Sequence, residues 1–159
     1  MLPCGATEAA LPLGEIFTKH ASSATAAVIT EPYLVSCWPI HNLDAVLDAV
    51  VDSGFVDRDK MGIGGHSYGA FSTVNAMTLM PNFKAGIAGD GMYNRTLTPF
   101  GFQSERRNFF QAKETYMDMS PFLRADKIAG ALLLYHAWED QNTGTAPLSS
   151  TRMYAALQG

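Results

Sequence analysis

The run Ala131-Leu132-Leu133-Leu134-Tyr135 is continuously apolar, as a strand of a parallel sheet should be. Two further runs of apolar and small residues, at 61–64 and 85–89, precede it. Helical patterns separate the three. Leu43, Val46, Leu47, Val50 and Val51 recur at helical spacing opposite Asp44, Asp48 and Asp52, with Asn42 as the expected N-cap and Gly54 past the C-terminus. Residues 70–80 read as a helix that Pro81 ends, and residues 148–157 as a final helix. A further helix is expected over residues 104–119, from Ser104 followed by Glu105, and another start at Ser120-Pro121. Residues 91–103 read as a loop, and residues 21–29 fit a helix or a strand equally. Strands alternating with helices imply an α/β layer fold with a parallel sheet and flanking helices.

Into this frame falls Gly65-His66-Ser67-Tyr68-Gly69, between a strand reading and a helix reading. A Gly-x-Ser-x-Gly alone is weak, because such turns carry glycine and serine for structural reasons. At a strand-to-helix junction it gains weight, since a sharp turn there exposes the serine hydroxyl. Ser67 is therefore the candidate nucleophile, and Tyr68 offers its backbone N–H to an oxyanion. A serine needs a general base and a carboxylate that orients it. Asp140, just after the run 131–135, is the candidate acid, with turn capping as its plainer role. Asp90 is the rival acid, and the neighbouring Glu139 is expected to point elsewhere.

These blocks resemble a known family. IGGHSYGAF, FKAGIAGDGMYNRTLTPFGFQSERR, YMDMSPFLRADKI and LLLYHAWEDQNTGTAPLSSTRMYAAL are similar to the catalytic domain of prolyl oligopeptidase-type serine peptidases. YNRTLTPFGFQ looks most like the glutamyl endopeptidase branch. The resemblance runs from about Asp57 to the C-terminus and implies an α/β-hydrolase-like fold that cleaves peptides, incomplete relative to the full fold. Ser67 matches the family nucleophile, Asp140 its acid and Tyr68 its oxyanion-hole residue. The family usually has His-Gly where this chain has His136-Ala137, a small residue at Trp138, and Ser-Gly where Asp90-Gly91 stands. Its catalytic histidine follows the last helix, and none of His20, His41, His66 and His136 stands at that place. The expectation is a single partial domain over 1–159, with a poorly matched segment at 1–40, that is a fragment or truncated homologue with an absent or borrowed base. A carboxylesterase on small esters and a non-catalytic scaffold for binding or assembly are the alternatives.

The plain roles of the other polar residues are structural. His66 and His136 are expected to make local hydrogen bonds. Arg95, Arg106 and Arg107 are candidates for binding an acidic substrate side chain, although solvation or ion pairing is the commoner role for such residues. Composition narrows the partners. The apolar fraction is 47%, which speaks against disorder, and the charged fraction is 16%, low enough to suggest a buried interface or a homo-oligomer. A net charge of −4 without a basic cluster argues against nucleic acid. No metal-ligand spacing, cofactor motif or membrane-spanning run is evident. Cys4 and Cys37 define no disulfide framework, which points to a reducing compartment, cytoplasmic or plastid-like.

Overall fold

The computed structural model describes residues 38–54, 56–103 and 105–159. The expectations for residues 21–29, Cys4, Cys37 and His20 lie outside the described residues.

A three-stranded sheet runs in the order β1 (Met61–His66), β2 (Phe83–Gly89), β3 (Ala131–Tyr135), and both pairings are parallel. Each expected strand is present, with β1 and β2 slightly longer than their apolar runs. Helices α1 (Trp38–Asp52), α2 (Tyr68–Leu79), α3 (Lys113–Asp118) and α4 (Leu148–Gln158) connect and flank them, with 3-10 turns at Arg58–Lys60, Arg95–Leu97 and Pro121–Lys127.

The register explains which residues face the core. Ile63, Gly86 and Leu132 are aligned across the sheet, as are Gly65, Ala88 and Leu134. This face receives α2, whose sequence is small or apolar nearly all round. Such a helix belongs in an interior, and Ala70, Phe71 and Val74 are fully buried. Burying a side chain the size of Phe71 or Val74 contributes about 1.5–3 kcal/mol. Gly86 leaves room for the Met77 side chain of α2, which a Cβ there would displace. One apolar cluster joins Leu47 of α1 to Met61, Met77, Met80 and Phe83; a second joins Val74, Ala88, Tyr93 and Met153.

The opposite face is aligned as Gly64, Ile87 and Leu133, and Ile87 and Leu133 are 51% and 58% exposed. The continuously apolar β3 is thus covered on one side only among the described residues.

Two local expectations are corrected. Helix α1 begins at Trp38, so Asn42 lies inside it and is not its N-cap. The expected helix over 104–119 shrinks to Lys113–Asp118. Side chains upstream bond the backbone instead. Asn108 Oδ1 accepts from the Gln111 N–H at 3.1 Å, Gln111 Oε1 accepts from the Asn108 N–H at 3.0 Å, and Glu105 accepts from the Arg107 N–H at 2.9 Å. Such local bonds compete with helix formation. The loop over 91–103 contains the 3-10 turn Arg95–Leu97, capped by Asn94 Oδ1 accepting from the Thr96 N–H at 3.1 Å. Gly54 has φ of 76° and donates to the Val51 carbonyl at 3.0 Å, as a residue closing a helix does.

Candidate active site

Ser67 sits between β1 and α2 with φ 57° and ψ −115°. A non-glycine residue at positive φ is held there by its surroundings. Two features hold it. The Ser67 N–H donates to the Gly89 carbonyl at 2.8 Å, fixing the turn to the top of β2. Gly65 lets α2 approach, since a Cβ at Gly65 would lie 2.5 Å from the backbone of Gly69. Ser67 occupies the N-cap position of α2 but makes no side-chain cap hydrogen bond. Its hydroxyl is left to the cleft. Tyr68 is the first residue of α2, where a backbone N–H has no partner within the helix and the helix dipole favours negative charge.

Ser67 lines two adjoining clefts. The first, about 260 Å³, is walled by Tyr68, Met92, Arg95, Phe102 and the strand-following residues 142–145. The second, about 320 Å³, brings Ser67 together with His66, Asp90, Glu139 and Asp140. The structure therefore gathers both candidate acids around Ser67. Glu139 is also among the residues that line this cleft.

Asp140 follows β3 and is firmly held. Its Oδ1 accepts from the Asn142 N–H at 2.8 Å, and its Oδ2 from the Thr145 hydroxyl at 2.8 Å. The amide of Asn142 first, then the Thr145 hydroxyl, keep its carboxyl below the ordinary range. It is an anion at neutral pH. Asp90 follows β2 at φ 51°, and its Oδ1 accepts from the Ala137 N–H at 2.6 Å, tying the end of β2 to the end of β3.

Both described imidazoles lie against carboxylates. His66 Nδ1 lies 3.2 Å from Asp90 Oδ2. His136 Nδ1 lies 2.7 Å from Ser150 Oγ and its Nε2 lies 3.3 Å from Asp140 Oδ2. Among the described residues no histidine is hydrogen-bonded to the Ser67 hydroxyl. The side chain of His41 lies outside them.

The residue whose placement the sequence did not disclose is Arg95. It is 4% exposed, on the cleft wall beside Ser67. Its guanidinium carbon sits 5.0 Å from the Phe71 ring centroid and 4.8 Å from that of Phe102. Its Nε has no hydrogen-bond partner, and no carboxylate pairs with it among the described residues. Burial lowers its pKa to about 10, still well above neutral, so the cleft holds a positive charge. A charge stacked between two rings in a loop is visible only once α2 and residue 102 meet; an arginine flanked by aromatic residues is the faint sequence signal.

Arg107, by contrast, is paired, as such residues usually are. Its Nε and Nη2 donate to Glu105 Oε1 at 3.0 Å and Oε2 at 2.7 Å. That fork stiffens the loop in which Phe102 pairs with Glu105 and in which Gly101 and Gln103 adopt φ of 116° and 52°. The Arg107 side chain first, then its amide, lower the Glu105 pKa from 4.5 to about 2. A carboxylate whose folded pKa is depressed stabilises the fold fully above its unfolded pKa, and that stabilisation disappears as pH falls through the folded value. The stability of the protein should therefore drop between about pH 4.5 and about pH 2. Thermal melts of Glu105→Gln should show a flatter slope across that window; an unchanged slope would separate the fork from acid stability.

The model of the prolyl oligopeptidase family matches residues 38–159. A probable glutamyl endopeptidase of the chloroplast from Arabidopsis thaliana is 48% identical over 121 residues, which are 76% of this chain and 13% of that protein. Its counterpart from Oryza sativa is 47% identical over the same length. Among solved structures, the acylaminoacyl peptidase of Pyrococcus horikoshii superposes with a TM-score of 0.63 at 28% identity, over 74% of this chain and 20% of that one.

The strand-turn-helix and parallel sheet are of the α/β-hydrolase type, and the chain belongs to the prolyl oligopeptidase family. It spans about an eighth of the length of its plant relatives, at 13% of each.

Proposed function

We propose that this chain carries the nucleophile, oxyanion-hole amide and orienting acid of a serine peptidase that cleaves after acidic residues. The observation that carries the reading is Ser67 at φ 57°, opening into a cleft walled by the buried Arg95. Two plant relatives are named as glutamyl endopeptidases. Arg95 gives that name a physical counterpart here.

In this reading the acidic side chain enters the first cleft and replaces water at the Arg95 guanidinium. A charge-assisted pair away from solvent is stronger and more selective than one on a surface. The scissile carbonyl then lies over Ser67. Ser67 Oγ attacks, the carbonyl oxygen becomes an anion, and the Tyr68 N–H at the start of α2 stabilises it. An imidazole seated between Ser67 and Asp140 accepts the hydroxyl proton and returns it to the leaving amine. Asp140, kept ionised by its hydrogen bonds, orients that ring and stabilises its charged form. Neither His66 nor His136 is placed for this role, and the base is a further histidine. Water then releases the acyl group by the same steps in reverse. The chloroplast labels of the plant relatives support a plastid compartment for this chain as well.

The test is covalent labelling with a fluorophosphonate, followed by mapping of the modified residue. Modification of Ser67, lost in Ser67→Ala, is the expected result. Where the imidazole is missing, labelling should be slow, since removing the histidine of a related triad costs on the order of a million-fold in turnover. Modification spread over other serines, or absent even on prolonged exposure, would rule the reading out. Parallel hydrolysis of glutamyl peptides and of small neutral esters separates a peptidase from a carboxylesterase.

A further inference from the structure

We propose that Asp90, His136 and Asp140 form a binding site for a divalent transition-metal ion of the zinc type beside Ser67. One ligand atom from each lies within 4.8 Å of the other two. His136 Nε2 is 3.3 Å from Asp140 Oδ2 and 3.9 Å from Asp90 Oδ1. Zinc bound by nitrogen and oxygen at roughly 2.0–2.2 Å in a tetrahedron separates its ligands by about 3.3–3.6 Å. The two distances from His136 Nε2 are close to that spacing, and the two carboxylate oxygens, within 4.8 Å of each other, would close on the ion by a side-chain adjustment.

The chemistry of the cluster also favours a cation. Two carboxylates face a single imidazole nitrogen; the Ala137 and Asn142 amides and the Thr145 hydroxyl hold them in place, but no lysine or arginine pairs with either among the described residues. A metal ion at their centre serves all three. The other nitrogen, His136 Nδ1, is engaged by Ser150 Oγ at 2.7 Å. Such an outer hydrogen bond fixes the ring and is the usual accompaniment of a metal-bound histidine. Asp90 is held in turn, by the Ala137 amide on Oδ1 and by His66 Nδ1 at 3.2 Å from Oδ2.

The side chains of His136, Asp90 and Asp140 are 7%, 12% and 16% exposed. The cluster is therefore sheltered but not sealed. Access is through the second cleft, where Glu139 adds another carboxylate. Imidazole with two carboxylates suits zinc or cobalt better than magnesium or calcium, which take more oxygen ligands. A water, or His66 after a rotation of its ring, completes the fourth position.

The site stands on geometry alone and not on the proposed peptidase activity. If that activity holds, the metal takes the Asp140 oxygen that orients the catalytic imidazole, and zinc slows acylation of Ser67.

The experiment uses the 159-residue chain, freed of metal with a chelator and titrated with zinc chloride alone by isothermal calorimetry. Cobalt chloride serves as an optical probe of tetrahedral geometry. One equivalent should bind, and magnesium should not compete. Asp90→Asn keeps an acceptor for the Ala137 amide and tolerates positive φ better than most residues, so the fold should survive, as circular dichroism checks. His136→Gln is the second variant. Each should weaken zinc binding by more than the roughly 10–100-fold that loss of an outer partner costs, while Glu139→Gln and Ser67→Ala should not. Absence of saturable binding to the folded wild-type chain would overturn the proposal. So would affinity unchanged in folded Asp90→Asn or His136→Gln, or loss of binding in Glu139→Gln alone. Because calorimetry reads binding directly, these outcomes are independent of whether Ser67 is reactive.

Discussion

Replacing Gly65 with alanine is expected to dismantle the turn that presents Ser67. The new Cβ would lie 2.5 Å from the carbonyl carbon and oxygen of Gly69 and 2.8 Å from its Cα. Those atoms are backbone, so no side chain can rotate out of the way. Either β1 separates from α2 or Ser67 leaves its positive φ. Separation exposes Ala70, Phe71 and Val74, all buried against the sheet. Overpacking usually costs 1–3 kcal/mol when side chains can yield; a clash with backbone at the centre of the fold should reach about 3–5 kcal/mol. At roughly 2–4 °C per kcal/mol for a domain of this size, the melting temperature should fall by on the order of 10 °C. Labelling of Ser67 should be lost even below the new midpoint. A Gly69→Ala variant is the control, because a Cβ at Gly69 meets nothing within 4 Å. Equal melting temperatures for the two variants would mean that the close approach at Gly65 does not shape the turn.

That turn was legible in the sequence because it obeys local rules. Gly65 and Gly69 flank a serine between an apolar run and a helical pattern, and the structure puts strand, turn and helix there. The three apolar runs were legible for the same reason. The errors also have local causes. A charged start signal at residues 104–107 resembles the beginning of a helix, yet Glu105 binds Arg107 and so builds a loop. The start of α1 at Trp38 carries none of the capping signals that Asn42 offers. What was not legible depends on residues distant in sequence. Asp90 meets the Ala137 amide across 47 positions, and Ser150 meets His136 only because α4 returns to β3. By sequence Asp90 is the rival acid. The structure sets it beside Asp140 around one imidazole.

Replacing Arg95 should give a large functional effect, and the effect should be selective for acidic substrates. A buried guanidinium with an unpartnered Nε costs stability, because desolvating a charge is not offset by the rings of Phe71 and Phe102 alone. A fold does not keep such a group for its own sake. Arg95→Met tests this, since methionine fills a similar volume and packs well between aromatic rings. The variant should melt at the same temperature as the parent or above it. Its handling of acidic substrates should collapse. Removing one partner of a desolvated charge pair costs about 2–4 kcal/mol, or roughly 30- to 1,000-fold in kcat/KM. Peptides with glutamine in place of glutamate should lose little, because they never used the charge. The preference for glutamate over glutamine would then shrink or invert while the protein itself stays intact. The measurement is a paired comparison of glutamyl and glutaminyl probes against parent and variant, by turnover or by rate of Ser67 labelling with phosphonates bearing each side chain. A variant that unfolds would make Arg95 a structural cation, and one that keeps its preference for glutamate would remove Arg95 from substrate recognition.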